Sequence, residues 1–143
     1  MRALLDVNVL IALLDEAHVH HRAAGQWLAA NIDQGWASCP LTQLGCIRIL
    51  SQPAYPGSQP VTAVARRLAA ATRQPHHEFW PAELDPLADG VLSWPAALSA
   101  RHSTNLYLLA LAVRRDGRFV TFDRHVPLHA VPQAEARHLQ VIV

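Results

Sequence analysis

Residues 103–123, STNLYLLALAVRRDGRFVTFD, carry the strongest indication of the fold. They are predicted to form a helix, a glycine turn and a strand. Apolar residues in helical order predict a helix over 103–116, and a β-branched and aromatic run predicts a strand over 118–122. The helix spans about 20 Å and the strand about 17 Å, and the short turn makes them antiparallel. Asn105, at the start of the helix, is therefore expected to lie near Asp123, which directly follows the strand.

The N-terminal sequence MRALLDVNVLIALL repeats this arrangement of an apolar strand that ends in a carboxylate. Residues 3–6 predict a short buried strand ending in Asp6, and the apolar segment after them is expected to be helical. A second strand is predicted over 35–39, and the helix that starts after Pro40 carries Gln43 in its first turn. The remaining predicted elements are helices over 18–31 and 62–73, a proline-rich loop over 51–60, an irregular stretch over 75–100 with a brief strand at HEFW (77–80), and a strand over 139–143.

Short apolar strands that alternate with helices predict one α/β domain over residues 1–143, with a mostly parallel sheet covered on both faces. The length of 143 residues, of which 51% are hydrophobic and 16% charged, suits a single domain with a hydrophobic core. No apolar run reaches the roughly 18 residues of a membrane span, and the N-terminus lacks the pattern of a signal peptide. We therefore expect a cytoplasmic protein without membrane association, in which Cys39 and Cys46 are buried and reduced.

Four polar residues are expected at one edge of this sheet, because the carboxyl ends of parallel strands meet there. They are Asp6, Gln43, Asn105 and Asp123. Two carboxylates about 5 Å apart repel by about 3 kcal/mol at an effective dielectric of about 20, and a divalent cation removes that repulsion. Mg²⁺ and Mn²⁺ take oxygen ligands of this kind, so the joint placement predicts a metal site. Taken singly, Asp6 also suits a helix cap, Asp123 a turn, and the two amides caps or solvated positions.

A cluster of histidines, HVHH at 18–21, is the other candidate for metal binding. On a helix His18 and His21 share a face, but no cysteine or second histidine pair stands at zinc spacing. The sequence is compatible both with solvated residues at a helix start and with a metal site.

The chain resembles PIN-domain proteins and, more narrowly, the VapC ribonuclease toxins, in the order and spacing of its motifs along nearly the whole chain. The motifs are LLDVNVLIAL (4–13), CPLTQLGCIRIL (39–50), TNLYLLALAVRRDGRFVTFDR (104–124) and VPLHAVP (126–132), and HEFWP (77–81) resembles the actinobacterial-type branch. The resemblance implies a three-layer α/β/α fold whose acidic residues bind Mg²⁺ or Mn²⁺ and cleave RNA phosphodiesters. It also implies a homodimer that a VapB antitoxin holds inactive by placing its tail in the acidic groove.

The resemblance assigns roles to residues at both ends of the chain. Asp6 takes the first acidic position of the family, with the polar Asn8 beside it. Asp123 takes the last acidic position, with Thr121 as its supporting neighbour.

Two positions depart from the family pattern. Gln43 stands where the second motif usually has Glu, and Asn105 stands where the third usually has Asp. Amide oxygens still coordinate hard cations, but neutral ligands hold Mg²⁺ less tightly, and an amide cannot act as a base for the attacking water. We expect the two amides to orient that water or to coordinate through their oxygens.

Two functions follow from these residues. The first is a metal-dependent ribonuclease in which Asp6, Asp123 and Asn105 are the metal ligands. Arg48 and Arg124 would then receive the RNA backbone, although either also suits a surface salt bridge. The second is a catalytically weakened or inactive PIN-like module that binds RNA or an antitoxin without cleaving. A phosphoacceptor domain is disfavoured, because no second acid adjoins Asp6 and the sequence has no glycine-rich phosphate loop.

Overall fold

The protein is organised around a five-stranded parallel sheet, in a computed structural model that describes residues 1–97 and 99–143. The strands are β1 (Ala3–Leu5), β2 (Trp36–Ser38), β3 (His77–Phe79), β4 (Arg118–Thr121) and β5 (Leu139–Val141), and the α-helices of the described residues are α1 (Val7–Leu14), α2 (His21–Asn31), α3 (Pro40–Leu50), α4 (Val61–Thr72) and α5 (Ser103–Arg114). The strand order is β3-β2-β1-β4-β5, and each pairing is parallel. The predicted α/β class is confirmed.

Two hydrophobic cores lie on the opposite faces of this sheet, as a three-layer α/β/α arrangement requires. On one face α5 packs against Phe119 of β4 and the fully buried Trp80. On the other face, residues of α1, α3 and α4 pack against Leu5 and Val120. The central helix α5 is buried from Leu106 to Ala112, which explains why its sequence is apolar on more than one side.

The turn between α5 and β4 is longer than the single glycine predicted from the sequence. The helix ends at Arg114, and Asp116 takes a left-handed conformation with φ of 52°. Gly117 N–H bonds to Ala112 C=O at 2.8 Å and Asp116 N–H to Val113 C=O at 3.1 Å, which is the Schellman motif. With this longer turn α5 and β4 are still antiparallel, so the start of α5 lies beside the end of β4, as predicted.

Other predicted boundaries differ from the structure by a few residues. The helix predicted over 18–31 begins at His21, because residues 16–20 form turns. The loop over 51–60 and the brief strand near His77 are confirmed. Within the irregular stretch 75–100, Leu98 lies outside the described residues, and the described remainder contains a single 3₁₀ turn at Trp94–Ala96 before Ala100 begins another.

Both cysteines are buried and free, as predicted. In the part of the chain that the structure describes, no helix combines the length and apolar character needed to cross a membrane.

Candidate active site

Asp6 directly follows β1 and caps the first turn of α1. The register of β1 and β4 pairs Leu5 with Val120, so Asp6 lies beside Thr121. One oxygen of the Asp6 carboxylate accepts the N–H of Val7 at 2.7 Å, and the other accepts the hydroxyl of Thr121 at 2.6 Å. Only 4% of Asp6 is exposed. The helix-cap interpretation of Asp6 is confirmed, and the same residue also lines a cavity at this edge of the sheet.

Asp123 follows β4 and is held by contacts on both of its oxygens. Oδ1 accepts the N–H of His125 at 2.8 Å, which is the side-chain turn that the sequence left open as an alternative. Oδ2 accepts the amide N–H of Asn105 at 3.4 Å, and Nε2 of His102 lies 3.6 Å from the same oxygen. The predicted proximity of Asn105 and Asp123 is therefore confirmed. The Asp123 side chain is 25% exposed, so it is more open to solvent than Asp6.

Thr121 connects the two carboxylates. Its hydroxyl donates to Asp6, and its oxygen accepts the backbone N–H of Asp123 at 3.0 Å. Thr121 itself is completely buried. The last residue of β4 thus bonds to the side chain of Asp6 and to the backbone of Asp123, and its supporting role in catalysis stays a prediction.

Burial raises the pKa of Asp6 above its ordinary value, and the negative charge of Asp123 raises it further. The hydrogen bonds from Thr121 and from the Val7 N–H oppose this rise because they stabilise the charged carboxylate. Two neighbouring carboxylates, one of them buried, repel each other, and their combined negative charge favours the binding of a cation.

A cavity of about 710 Å³ opens at this edge of the sheet. Its polar lining includes Asp6, Asn8, Asn105, Asp123, Arg48, Arg101 and Thr104, and its apolar lining includes Leu41, Leu44 and Phe122. The structure thus brings together most of the residues predicted from the sequence. The acidic and amide groups lie at the strand ends. The exposed Arg48 lies on α3, and the exposed Arg101 lies just before α5.

The donor set of this cavity fits a divalent cation of the Mg²⁺ or Mn²⁺ type. Asp6 and Asp123 supply carboxylate oxygens, and Asn105 retains its amide oxygen when its N–H donates to Asp123. Within residues 1–97 and 99–143, no group of three or more His, Cys, Asp or Glu side chains is arranged to hold a metal ion. The site therefore offers two carboxylates rather than a larger acidic cluster.

Gln43 does not join the other predicted residues in the cavity. Its amide donates instead to the hydroxyl of Ser38 at 2.9 Å. The face of α3 that lines the cavity carries Leu41, Leu44, Gly45 and Arg48, at the spacing of one helical face. The expectation that Gln43 lies with the carboxylates was wrong, because a position in the first turn of the helix does not determine the direction of its side chain.

Arg124 also lies outside the cavity lining. Its guanidinium donates to the carbonyl of Val143 at 2.7 Å and so holds the end of the chain after β5. The predicted contact of Arg124 with RNA has no support from this placement, whereas Arg48 does line the cavity.

Arg101, His102 and Phe122 are residues at this edge that sequence reasoning missed. Arg101 and Phe122 line the cavity, and His102 is buried with neither ring nitrogen hydrogen-bonded to any residue that the structure describes. The argument that placed Asn105 at a helix start applies equally to the residues just before it, so Arg101 and His102 could have been found that way. Phe122 stands beside Asp123 in the sequence and was treated only as part of the strand.

The histidines at 18–21 do not form a metal site in the described residues. The ring of His18 accepts the backbone N–H of His20 at 3.0 Å. Burial lowers the pKa of His18, and the neighbouring His20 lowers it further. His18 and His20 are half-buried and their rings lie against Phe122, so the interpretation as a solvated helix start is also incomplete.

Residues 3–132 of the chain match the PIN domain family. Ribonuclease VapC44 of Mycobacterium tuberculosis (strain H37Rv) is 49% identical over 142 residues, which is 99% of this chain and 100% of that protein. Ribonuclease VapC39 of the same strain is 42% identical over 125 residues, or 86% of this chain and 89% of that protein.

Two solved structures share the fold. The crystal structure of VapBC2 from Rickettsia felis, bound to a DNA fragment from its promoter, matches with a TM-score of 0.62 at 10% identity and covers 100% of both chains. The structure of Mycobacterium tuberculosis VapC20, a sarcin–ricin loop cleaving toxin, matches with a TM-score of 0.62 at 11% identity and covers 93% of this chain and 98% of that one. At such low identity these structures support the fold alone. Together with the 49% identical relative and the family match, they lead to one conclusion: the chain belongs to the PIN-domain family and, within it, to the VapC proteins.

Proposed function

We propose that the protein is an endoribonuclease toxin of a toxin–antitoxin module, which hydrolyses RNA phosphodiesters in a Mg²⁺- or Mn²⁺-dependent reaction. The observation that carries the proposal is the pair of carboxylates, Asp6 and Asp123, linked through Thr121 at the base of an open cavity. The relatives that are 42–49% identical over most of the chain are named as ribonucleases, which supports the same activity.

Asp6, Asp123 and the amide oxygen of Asn105 are the groups that would hold the ion. When bound, a divalent ion supplies Lewis-acid polarisation of the phosphate and lowers the pKa of a coordinated water. Two carboxylates carry less charge than a larger acidic cluster, so we expect weaker cation binding than in a site with more carboxylates.

The residues of the chain have separate tasks around that ion. Thr121 keeps one Asp6 oxygen engaged in a hydrogen bond and so fixes the rotation of the carboxylate. The amide of Asn105 and the His125 N–H fix the carboxylate of Asp123 in the same way. Fixed oxygen ligands lower the cost of organising the site when substrate binds.

Arg48 and Arg101 are the residues that we propose to receive the RNA backbone. Both side chains are exposed and line the cavity, and neither forms an ion pair with any residue in the described ranges. Their charge is therefore available for phosphate oxygens.

The partners that we propose are an RNA substrate, a VapB-like antitoxin and a second copy of the chain. Support for the antitoxin is that the relatives bear the VapC name and that one neighbour of the same fold was solved as a VapBC assembly. The homodimer rests on the family resemblance.

The experiment that tests the function combines metal binding with RNA cleavage. Mn²⁺ binding is measured by calorimetry on wild type, on Asp123→Asn and on Asp33→Asn, which replaces an exposed carboxylate outside the cavity. We expect Asp123→Asn to lose Mn²⁺ binding and to reduce cleavage of a mixed RNA pool to background, while Asp33→Asn retains both. Equal cleavage by wild type and Asp123→Asn would contradict the proposal.

The second candidate function is an inactive module that binds RNA or an antitoxin without cleaving. The observation that favours it is that α3 contributes no carboxylate to the cavity and α5 contributes the amide of Asn105. Asn105→Asp separates the two functions. A marked gain of Mn²⁺ affinity together with the first appearance of RNA cleavage would identify the wild-type chain as the inactive module, whereas an active wild type excludes it.

A further inference from the structure

Phe122 lines the proposed active site and also contacts a pair of imidazole rings. It directly follows β4, precedes Asp123 and lines the cavity. Its ring is also close to His20, with a centroid separation of 4.9 Å, and to His18, whose ring is nearly parallel at 6.4 Å. These separations fall in the range at which aromatic rings attract one another.

The two histidines pack against the Phe122 ring. Both belong to the connection between α1 and α2, where the His20 N–H bonds to the His18 ring at 3.0 Å. This bond fixes the His18 imidazole against the backbone of His20, and the cavity lining includes neither ring. Phe122 is thus a half-buried aromatic side chain that contacts two imidazoles and lines the cavity of the proposed metal site.

We propose that Phe122 is a stacking platform for a nucleobase of single-stranded RNA, on the nucleotide next to the phosphate that is cleaved. The proposal rests on the ribonuclease function proposed above and adds a residue that contacts the base. Proteins bind unpaired RNA by placing arginines on the phosphates and aromatic rings on the bases. The cavity provides both, with Arg48 and Arg101 for phosphates and Phe122 for a base.

The position of Phe122 in the cavity indicates which base it contacts. Phe122 and Asp123 line the same cavity, so the base is that of a nucleotide flanking the phosphate positioned by the cation that Asp6 and Asp123 would hold. Stacking tolerates any base, so Phe122 contributes affinity and distinguishes single-stranded RNA from a base-paired duplex, whose bases are already stacked.

The test compares binding of a fluorescent single-stranded RNA oligonucleotide with binding of the same backbone carrying abasic residues. Binding is measured in EDTA, so that no cleavage occurs. We expect wild type to prefer the base-bearing strand, Phe122→Leu to lose about 5- to 100-fold of affinity for that strand only, and Phe122→Trp to retain it. Phe79→Leu, which replaces a phenylalanine that is 50% exposed and lies outside the cavity, should behave as wild type.

Several outcomes would overturn the proposal. They are equal affinity of wild type for the two strands, an equal loss on both strands in Phe122→Leu, and no binding of either strand by wild type. Thermal unfolding of each variant identifies a loss of fold, and in that case Phe122→Trp decides the question. Cleavage with Mn²⁺ is measured separately, so a lack of cleavage would contradict the ribonuclease proposal without affecting the base preference.

Discussion

At the scale of single residues, Thr121 is the group on which the geometry of the site depends most. Its one hydroxyl donates to a buried carboxylate and accepts a backbone N–H, so it satisfies groups of Asp6 and Asp123 together. A buried donor or acceptor that loses its partner costs about 1–3 kcal/mol. Together with the Val7 N–H on the other oxygen, the same hydroxyl fixes the direction in which the remaining lone pairs of Asp6 point.

We therefore predict that Thr121→Val destabilises the protein by about 1–3 kcal/mol and weakens Mn²⁺ binding about 10- to 100-fold. Valine has nearly the shape of threonine but offers neither donor nor acceptor. Thr121→Ser keeps the hydroxyl and is the matched control, which should retain most of the Mn²⁺ affinity. Denaturant unfolding and calorimetry measure the two effects. Unchanged Mn²⁺ affinity in Thr121→Val would show that Asp6 needs no orientation by Thr121.

At the scale of elements, the α5–β4 turn packs against the start of the N-terminal strand β1. This packing aligns β4 with β1, so that the carboxylates following the two strands lie at the same edge of the sheet. Gly117 approaches the start of β1 so closely that an added Cβ would lie 2.6 Å from the Arg2 carbonyl oxygen and 2.7 Å from the Trp80 ring. The requirement for glycine here comes from close approach of backbone and ring. The left-handed conformation of the turn is taken by Asp116 instead.

Gly117→Ala should destabilise the protein by about 1–3 kcal/mol, because Arg2 leads into β1, the central strand, whose backbone cannot move without disturbing its pairing with β2 and β4. Gly25→Ala is the control, since it lies in α2 with open space around the added methyl and should stabilise by about 0.5–1 kcal/mol. Urea unfolding gives both free energies. Equal stability of Gly117→Ala and wild type would mean that the turn can shift at no cost.

A second element contact joins the loop at 51–60 to the end of α1. The Tyr55 hydroxyl donates to the Asp15 carboxylate at 2.5 Å, and this bond lowers the pKa of Asp15. Burial, together with the same bond, raises the pKa of Tyr55 to about 12. A carboxyl whose pKa is lower in the folded state stabilises the fold above its unfolded pKa of about 3.9 and loses that contribution as pH falls through the folded value.

Tyr55→Phe should therefore cost about 1 kcal/mol at pH 6, and the difference from wild type should shrink below about pH 4 as Asp15 is protonated. Near neutral pH the difference should be constant, because neither group titrates there. Urea unfolding of both proteins between pH 3 and pH 7 measures it. A difference that grows toward acid pH would assign the Tyr55 contribution to packing or to another group.

At the scale of the whole molecule, the parallel sheet explains both what the sequence predicted and what it did not. Strand ends converge in any parallel sheet, so two carboxylates that follow strands could be placed together without coordinates. Gln43 could not be placed in this way, because the direction of a helical side chain depends on the rotation of α3 against α1. Arg101 follows an irregular, proline-rich stretch that has no periodicity to predict its path.

The whole-molecule charge determines how RNA binding should depend on salt. The net charge is only +1, so long-range attraction is weak and binding should report the local contacts of Arg48 and Arg101. Each phosphate contact on a single strand contributes about −0.7 to the slope of log affinity against log salt, which predicts a shallow slope of about −1.4 for two contacts.

Arg48→Ala and Arg101→Ala should each make that slope less steep by about 0.7, measured by fluorescence anisotropy of single-stranded RNA in EDTA at pH 8. Arg66→Ala, on the exposed side of α4 and outside the cavity, is the control of equal charge change and should leave the slope as in wild type. A slope that falls equally in all three variants would mean that RNA responds to total charge. An unchanged slope in both cavity variants would place the RNA backbone on another face of the molecule.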